Sequence, residues 1–256
     1  MSSKLRVKTR LSSVVILIPC NLLLILPSLL LLYYVCIFGV NVIYWDEWEM
    51  IPLIQKAMSG TLSLSDLFAQ HNEHRILFPK IAMLALGSLP RYNTVAEMLF
   101  SWILICLTGL LIFYVYRKKF SWSSYPKLAL SFLPALLLLF SFRQYESILW
   151  GITCQIYLMI FAAVATFSLL EVSKKADVWF TLSVLSAILA SFSFLTGLMV
   201  WPVGLLQIWF SEKKRNLHKT VFWCVVGTLT FASYFYGYVK PSGHPALDYV
   251  LTNPLG

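Results

Sequence analysis

The sequence predicts an all-α, polytopic transmembrane helical protein with about seven spans and with short interfacial helices in its first outer loop. Of the 256 residues, 59% are hydrophobic and only 12% are charged, and the mean hydropathy is +0.76. A soluble domain has about 45–50% apolar and about 25% charged residues. The composition therefore excludes a soluble globular enzyme, a disordered chain and a secreted disulfide scaffold.

The apolar runs divide into seven predicted spans. A hydrocarbon core about 30 Å thick needs about 20 helical residues. The first run lacks a small-residue cleavage site and is expected to remain as an anchor. Run 177–211 is too long for one crossing and predicts a helical hairpin, broken near Thr196-Gly197 and Trp201-Pro202. The predicted spans are 13–38, 94–116, 126–142, 150–172, 177–194, 196–211 and 220–239.

The basic residues are placed as topology signals rather than as a nucleic-acid surface. The formal net charge is +9, but most lysines and arginines form short clusters between apolar runs. If segment 76–89 does not cross, fourteen of the twenty basic residues lie inside, as the positive-inside rule favours. We therefore expect a multi-pass protein of the plasma (inner) membrane with a cytoplasmic N-terminus, a long outer loop at 41–93 and no nucleic-acid partner.

The outer loop begins with an acidic pair, Asp46-Glu47. One interpretation is helix capping, because Asp46-x-x-Glu49 matches a capping box. Pro52 would interrupt the helix that such a cap opens. The alternative is a general base, or a metal ligand, held at the membrane surface where an amphiphilic substrate arrives.

Short helices are predicted within and after this loop. Pro52 suits the start of a helix that Gly60 closes. The motif Ser63-x-x-Asp66 is typical of a second helix start, and Thr94-x-x-Glu97 is a capping box that would open the second span. Glu97 is therefore predicted to be structural.

Five consecutive residues, His71-Asn72-Glu73-His74-Arg75, all have polar or charged side chains. On a helix, His71 and His74 would share one face and could bind a divalent metal with a carboxylate such as Asp46. The other interpretations are polar or phosphate contacts, for which Arg75 is suited, and plain interfacial solvation.

A second outer loop carries Arg143-Gln144-Tyr145-Glu146. It is either a short polar connection or a place where an arginine binds a lipid phosphate. Gln155 lies one to two turns into the following span, where a polar side chain needs a partner.

The stretch from Asp46 to Lys119 resembles the GT-C membrane glycosyltransferases, such as protein O-mannosyltransferases and lipid A aminoarabinose transferases. The similar segments are DEWEMIPLIQKAMSG at its head and NTVAEMLFSWILICLTGLLIFYVYRKKF at its tail. Beyond Lys119 the resemblance is mainly one of hydropathy. Because the sequence stops soon after a span, at Asn253-Pro254-Leu255-Gly256, we expect a fragment of a longer GT-C module.

The resemblance implies transfer of a sugar from a polyprenyl-phosphate donor to an acceptor on the outer face of the membrane. It assigns catalysis to Asp46, with Glu47 as the adjacent acid. The candidates for substrate or lipid-phosphate binding are His71, Glu73, His74, Arg75, Arg143 and Glu146. The expected partners are the lipid-linked sugar, membrane lipid and an acceptor of undetermined class. No cofactor is assigned with certainty, and a divalent metal, with Asp46, His71 and His74 as candidate ligands, is an alternative.

Two other functions fit a polytopic chain. A flippase or transporter of a lipid-linked sugar would carry charged groups at mid-membrane depth, and the predicted spans have few of them. A non-catalytic membrane subunit or a truncated remnant would explain the abrupt end of the sequence.

Overall fold

The structure is a computed structural model that describes residues 3–87, 92–120, 124–173, 175–211 and 217–241. Within these ranges the chain is helical and contains no strand, apart from one isolated bridge between His71 and His74. The predicted all-α class is confirmed. The chain end at 253–256, on which the prediction of a fragment depends, lies outside the described residues.

Eleven α-helices are described, together with four short 3₁₀ helices. The α-helices are α1 (Ser3–Phe38), α2 (Ile51–Met58), α3 (Leu64–Phe68), α4 (Leu77–Gly87), α5 (Thr94–Lys119), α6 (Tyr125–Leu139), α7 (Tyr145–Ile148), α8 (Cys154–Val172), α9 (Val178–Ser191), α10 (Val200–Ser211) and α11 (Leu217–Phe235). The 3₁₀ helices are Trp45–Met50, Phe142–Gln144, Gly151–Thr153 and Leu195–Met199.

Four helical segments in the described part of the chain are long and apolar enough to cross a membrane. They are Leu17–Phe38, Thr94–Lys119, Tyr125–Ile148 and Gly151–Val172. They coincide with the first four predicted spans, and their apolar side chains are largely turned outward: only 17% of the first and 50% of the last is buried. The chain is thus consistent with a membrane protein.

Two of the three remaining predicted spans coincide with shorter apolar helices, and the third coincides with α11, which is not among the four candidate spans. Helix α9 has 14 residues and α11 has 19, and the apolar segment Leu195–Phe210 lies between them. At 1.5 Å per residue, α9 is only about 21 Å long. The predicted total of about seven spans is therefore not confirmed.

Run 177–211 is a helical hairpin, as its length predicts. Helix α9 ends at Ser191 and α10 begins at Val200, after the 3₁₀ helix that holds Gly197. Gly197 lies so close to the carbonyl group of Ala190 that no side chain would fit there. Trp201 Nε1 donates to Ser191 Oγ at 3.0 Å across the bend.

Residues 41–93 leave the helix bundle and return to it at the same end. The backbone N–H of Thr94, at the start of α5, donates to Asn41 Oδ1 at 2.9 Å, just beyond α1. The later connections meet the same loop: Phe78 N–H donates to the Phe192 carbonyl group at 3.3 Å. We call this the loop end of the bundle.

The local signals in the outer loop have mixed outcomes. Helix α2 begins one residue before Pro52, and Gly60 follows it in the left-handed conformation (φ +69°). The capping box at Ser63 and Asp66 is confirmed, with bonds of 3.0 and 3.2 Å. The predicted cap at Glu97 is wrong, because Asn93 caps α5 by accepting from Val95 N–H at 2.9 Å.

We expect Gly197→Ala to destabilise the hairpin by about 1–3 kcal/mol, because its Cβ would overlap the Ala190 carbonyl group. The measurement is thermal unfolding of the purified chain in a nanodisc. Ser186→Ala, a partly exposed change in α9, should leave the unfolding temperature nearly unchanged. Equal unfolding temperatures for Gly197→Ala and the wild type would contradict the tight bend.

Candidate functional site

The acidic pair lies in the 3₁₀ helix Trp45–Met50, which we call the acidic turn. A 3₁₀ helix has three residues per turn, so residues i and i+3 share a face. Trp45 and Trp48 form one face and are 71% and 61% exposed. Glu47 and Met50 form a second face and are each 1% exposed. The third face carries Asp46 and Glu49.

The acidic turn begins with an unfavourable backbone conformation. Trp45 has φ +49°, a left-handed value that a non-glycine residue seldom adopts. Such conformations persist only where surrounding contacts hold them, and they concentrate at functional sites. The contacts here are the buried Glu47 and Met50, with Met50 packed in a small core with Met83, Ile152 and Cys154.

The Asp46 and Glu49 face lies against residues 71–74, which we call the histidine turn. Asn72 Nδ2 donates to Asp46 Oδ2 at 3.3 Å. Glu49 Oε2 lies 2.7 Å from His71 Nδ1, and His71 is only 4% exposed whereas Glu49 is 57% exposed. Asp46 is half-buried, so its carboxylate is held by one neighbour yet remains accessible.

The histidine turn is not helical, contrary to the shared-face prediction for its two histidines. His71 and His74 exchange two backbone hydrogen bonds of 2.8 Å, and Asn72 takes a left-handed φ of +48°. The His74 ring stacks on Phe194 at 3.9 Å between centroids, and Glu73 lies 3.6 Å from His74 Nε2. The two histidines therefore contact different groups, His71 the acidic turn and His74 the hairpin.

Arg75 connects the histidine turn to the C-terminal end of α11. Its Nε donates to the Tyr234 carbonyl group at 2.5 Å, Nη1 donates to the Phe68 carbonyl group at 2.7 Å, and Nη2 donates to the Tyr236 carbonyl group. The last carbonyl groups of a helix lack intrahelical partners, and a cation stabilises them. Arg75 is 6% exposed, so the structure gives it a clamping role in place of the predicted phosphate contact.

Lys80 makes a similar contact at the end of α3. Its Nζ donates to the carbonyl groups of Asp66 and Ala69 at 3.2 and 2.7 Å. Burial lowers the pKa of Lys80 to about 8, and the nearby charge of Glu49 partly opposes that shift. This lysine supports the loop beneath the histidine turn.

Glu47 is buried against the connection between α7 and α8. Its Oε2 accepts from Tyr44 N–H at 3.0 Å, and its Oε1 accepts from Ile152 N–H at 3.2 Å. Burial raises the pKa of Glu47, and the backbone donors from Tyr44, Ile152 and Gly151 partly offset the effect. The acid next to Asp46 is therefore an internal anchor of the acidic turn.

A second buried acid, Glu97, lies beside Glu47. A side chain added at Gly151 would meet Glu97 Oε2 and Glu47 Oε1 together, so the two carboxyl groups are neighbours across the Gly151 Cα. Glu97 is completely buried, neither of its oxygens meets hydrogen-bond geometry with a protein group, and the Tyr92 hydroxyl is the donor beside it. Burial and the adjacent Glu97 raise the pKa of the Tyr92 phenol, whose hydroxyl also lacks hydrogen-bond geometry to a partner.

The sequence pattern predicted only a capping role for Glu97. The signal that could have revealed its burial is a helical stripe of polar residues at the start of α5. Thr94, Glu97 and Ser101 follow the spacing i, i+3 and i+7, and all three are buried.

The second outer loop approaches the acidic turn through apolar residues. Trp150 Nε1 donates to the Tyr44 carbonyl group at 3.2 Å. Arg143 and Glu146 are exposed, and their described polar contacts are local, with Ser141 and Tyr145. The amide oxygen of Gln155 is buried without a hydrogen-bond partner in the protein.

The metal interpretation gains no geometric support. Among the described residues, no group of three or more histidine, cysteine or acidic side chains is arranged to hold a metal ion. Asp46 and His71 contact different partners on the two turns, Asn72 and Glu49 respectively. The three weak candidates therefore do not form one coordination sphere.

Comparisons of the chain with protein-family models, with curated proteins and with solved structures found no match.

We expect Arg75→Gln to lower the free energy of unfolding by about 3 kcal/mol, because charge-assisted bonds to three carbonyl groups are lost. Thermal unfolding in a nanodisc measures the effect. The matched control is Arg143→Gln, which removes an exposed arginine and should change stability little. Equal losses for both variants would contradict the clamp.

Stability should depend on pH through Glu47. The pKa of Glu47 is raised above 4.5, so the folded state binds the proton more tightly than the unfolded state does. Proton binding to Glu47 therefore stabilises the folded state at low pH. This contribution to stability is lost as the pH rises from 4.5 through the raised pKa. The unfolding temperature of the wild type should fall over this window, and Glu47→Gln should flatten the fall. Glu171→Gln, at a half-exposed site, should retain the wild-type slope. An unchanged slope in Glu47→Gln would refute the assignment.

Proposed function

We propose that this chain is a membrane glycosyltransferase of the GT-C type, which transfers a sugar from a polyprenyl-phosphate donor to an acceptor on the outer face of the membrane. The observation that carries the proposal is the placement of Asp46. It lies in the first turn of the loop that follows the first long apolar helix, next to the strained residue Trp45, with a hydrogen bond from Asn72 and a partly accessible carboxylate.

Asp46 is the proposed general base. It takes the proton of the acceptor hydroxyl, whose oxygen bonds to the sugar carbon. The bond between that carbon and the lipid phosphate breaks at the same time, and the phosphate leaves with the electron pair. Positioned general bases contribute about 10²–10⁴-fold to such rates.

The neighbouring residues have supporting roles in this proposal. Asn72 orients the Asp46 carboxylate, and the His71–Glu49 pair holds the two turns together. Glu47 fixes the register of the acidic turn from inside. Arg143 and Glu146 are exposed and are available for the lipid phosphate, whereas the described bonds of Arg75 go to backbone carbonyl groups.

The exposed Trp45 and Trp48 suit a site at the membrane surface. Indole rings favour the headgroup region of a bilayer. The Tyr44 ring lies 6.0 Å from Trp45 and 5.8 Å from Trp150, so the aromatic patch extends around the acidic turn. A base placed there meets a donor whose tail is in the bilayer and whose sugar is in water.

We expect Asp46→Asn to reduce sugar transfer by at least about 100-fold, because the asparagine amide cannot accept the proton. The measurement is lipid mass spectrometry of membranes from wild-type, gene-deleted and Asp46→Asn strains, with the protein level matched. Both altered strains should accumulate the same polyprenyl-phosphate sugar. Glu171→Gln should match the wild type.

Two outcomes would contradict parts of the proposal. Accumulation in the deletion alone would place the chemistry away from Asp46. No lipid change in any strain would contradict the transferase function and favour a subunit, a remnant or another substrate class.

A further inference from the structure

Glu97 has an environment in which an ionised carboxylate is unstable. It is completely buried, neither oxygen meets hydrogen-bond geometry with a protein group, the Tyr92 hydroxyl is the donor beside it, and the Glu47 carboxyl group is its neighbour across Gly151. Transfer of an ionised carboxylate to such a place without a paired cation, and with a single phenol beside it, is very costly. Two adjacent carboxylates cannot both be ionised without a further penalty.

The groups that face Glu97 supply no compensating charge. They are Glu47 from the acidic turn, Tyr92 from the segment before α5, and Cys154 from the start of α8. None of these three side chains carries a positive charge. Glu47 receives backbone donors from Tyr44 and Ile152, so it is the better placed of the two acids to hold a negative charge.

We propose that Glu47 and Glu97 form a buried proton-binding site, in which one proton is shared by the pair and resides mainly on Glu97. The proton removes the repulsion across Gly151. It thereby holds the acidic turn against α5 and keeps Asp46 in place. This inference is independent of the sugar-transfer proposal, because it concerns the protonation state of the pair and not the substrate.

Loss of this proton would have a defined structural effect. Two negative charges would face each other across a glycine that offers no space for them to separate. The acidic turn is the movable partner, because Glu47 is on a six-residue 3₁₀ helix whereas Glu97 is on the 26-residue α5. Deprotonation is therefore expected to push the acidic turn outward.

Infrared spectroscopy of the full chain in nanodiscs tests the site directly. At pH 7, at which exposed carboxyl groups are ionised, the wild type should show a carboxylic-acid C=O band that shifts in D₂O. The band should be lost in Glu97→Gln, whose amide mimics the protonated acid in shape, and retained in Glu171→Gln. Absence of the band in the wild type, or its survival in a folded Glu97→Gln, would overturn the proposal.

A second measurement keeps the test decisive if Glu97→Gln does not fold. In Glu47→Gln the negative neighbour is removed, so the band should titrate at a pH lower by about one unit or more than in the wild type. A merely structural role for Glu47 would leave that midpoint unchanged, and an unchanged midpoint would refute the shared proton.

A bound cation is the competing occupant. Unfolding temperatures in sodium and in choline buffers at equal pH and ionic strength distinguish the two. Equal unfolding temperatures in the two buffers support a bound proton. A higher unfolding temperature in sodium, together with no carboxylic-acid band, would overturn the proposal.

Discussion

The site depends on the coincidence between a three-residue repeat in the sequence WDEWEM and the three-residue period of a 3₁₀ helix. In an α-helix, which has about 3.6 residues per turn, these six side chains would not fall on three separate faces of two residues each. In the 3₁₀ form the aromatic pair, the pair that faces the histidine turn and the buried pair each occupy a separate face. Adjacent acids, Asp46 and Glu47, therefore have opposite environments.

The buried face explains why so short a helix keeps its shape. Met50 packs with Met83 and Cys154, and Glu47 takes donors from two separate segments of backbone. These contacts fix the rotation of the turn, which in turn fixes where the Asp46 carboxylate points. The left-handed conformation at Trp45 is the local cost of turning the chain sharply into this position.

Features set by local chemistry were predictable from the sequence. The apolar runs, the break in 177–211 and the capping box at Ser63 all depend on residues within a few positions of one another. The acidic pair was also placed correctly in the loop after the first span, where Asp46 is half-buried. The span count was less predictable, because an apolar run signals burial in lipid or in protein equally well.

Features set by distant contacts were not predictable. The pairing of Glu97 with Glu47 joins two separate segments of the chain, and the capping-box spacing at Thr94 gave no sign of it. The HNEHR segment matched a helical spacing, but Asn72 adopts a left-handed conformation that breaks it. Arg75 resembled a phosphate ligand because two of the three carbonyl groups that it binds belong to residues more than 150 positions later.

That long-range clamp has a consequence for the order in which the molecule is made. A chain emerging from the ribosome presents the first spans and the histidine turn long before Tyr234 exists, 159 positions after Arg75. Until α11 has joined the bundle, the guanidinium group of Arg75 lacks two of the three carbonyl groups that it binds. A nascent chain that has not yet made α11 therefore carries every residue of the two turns without the clamp that ties the histidine turn to that helix.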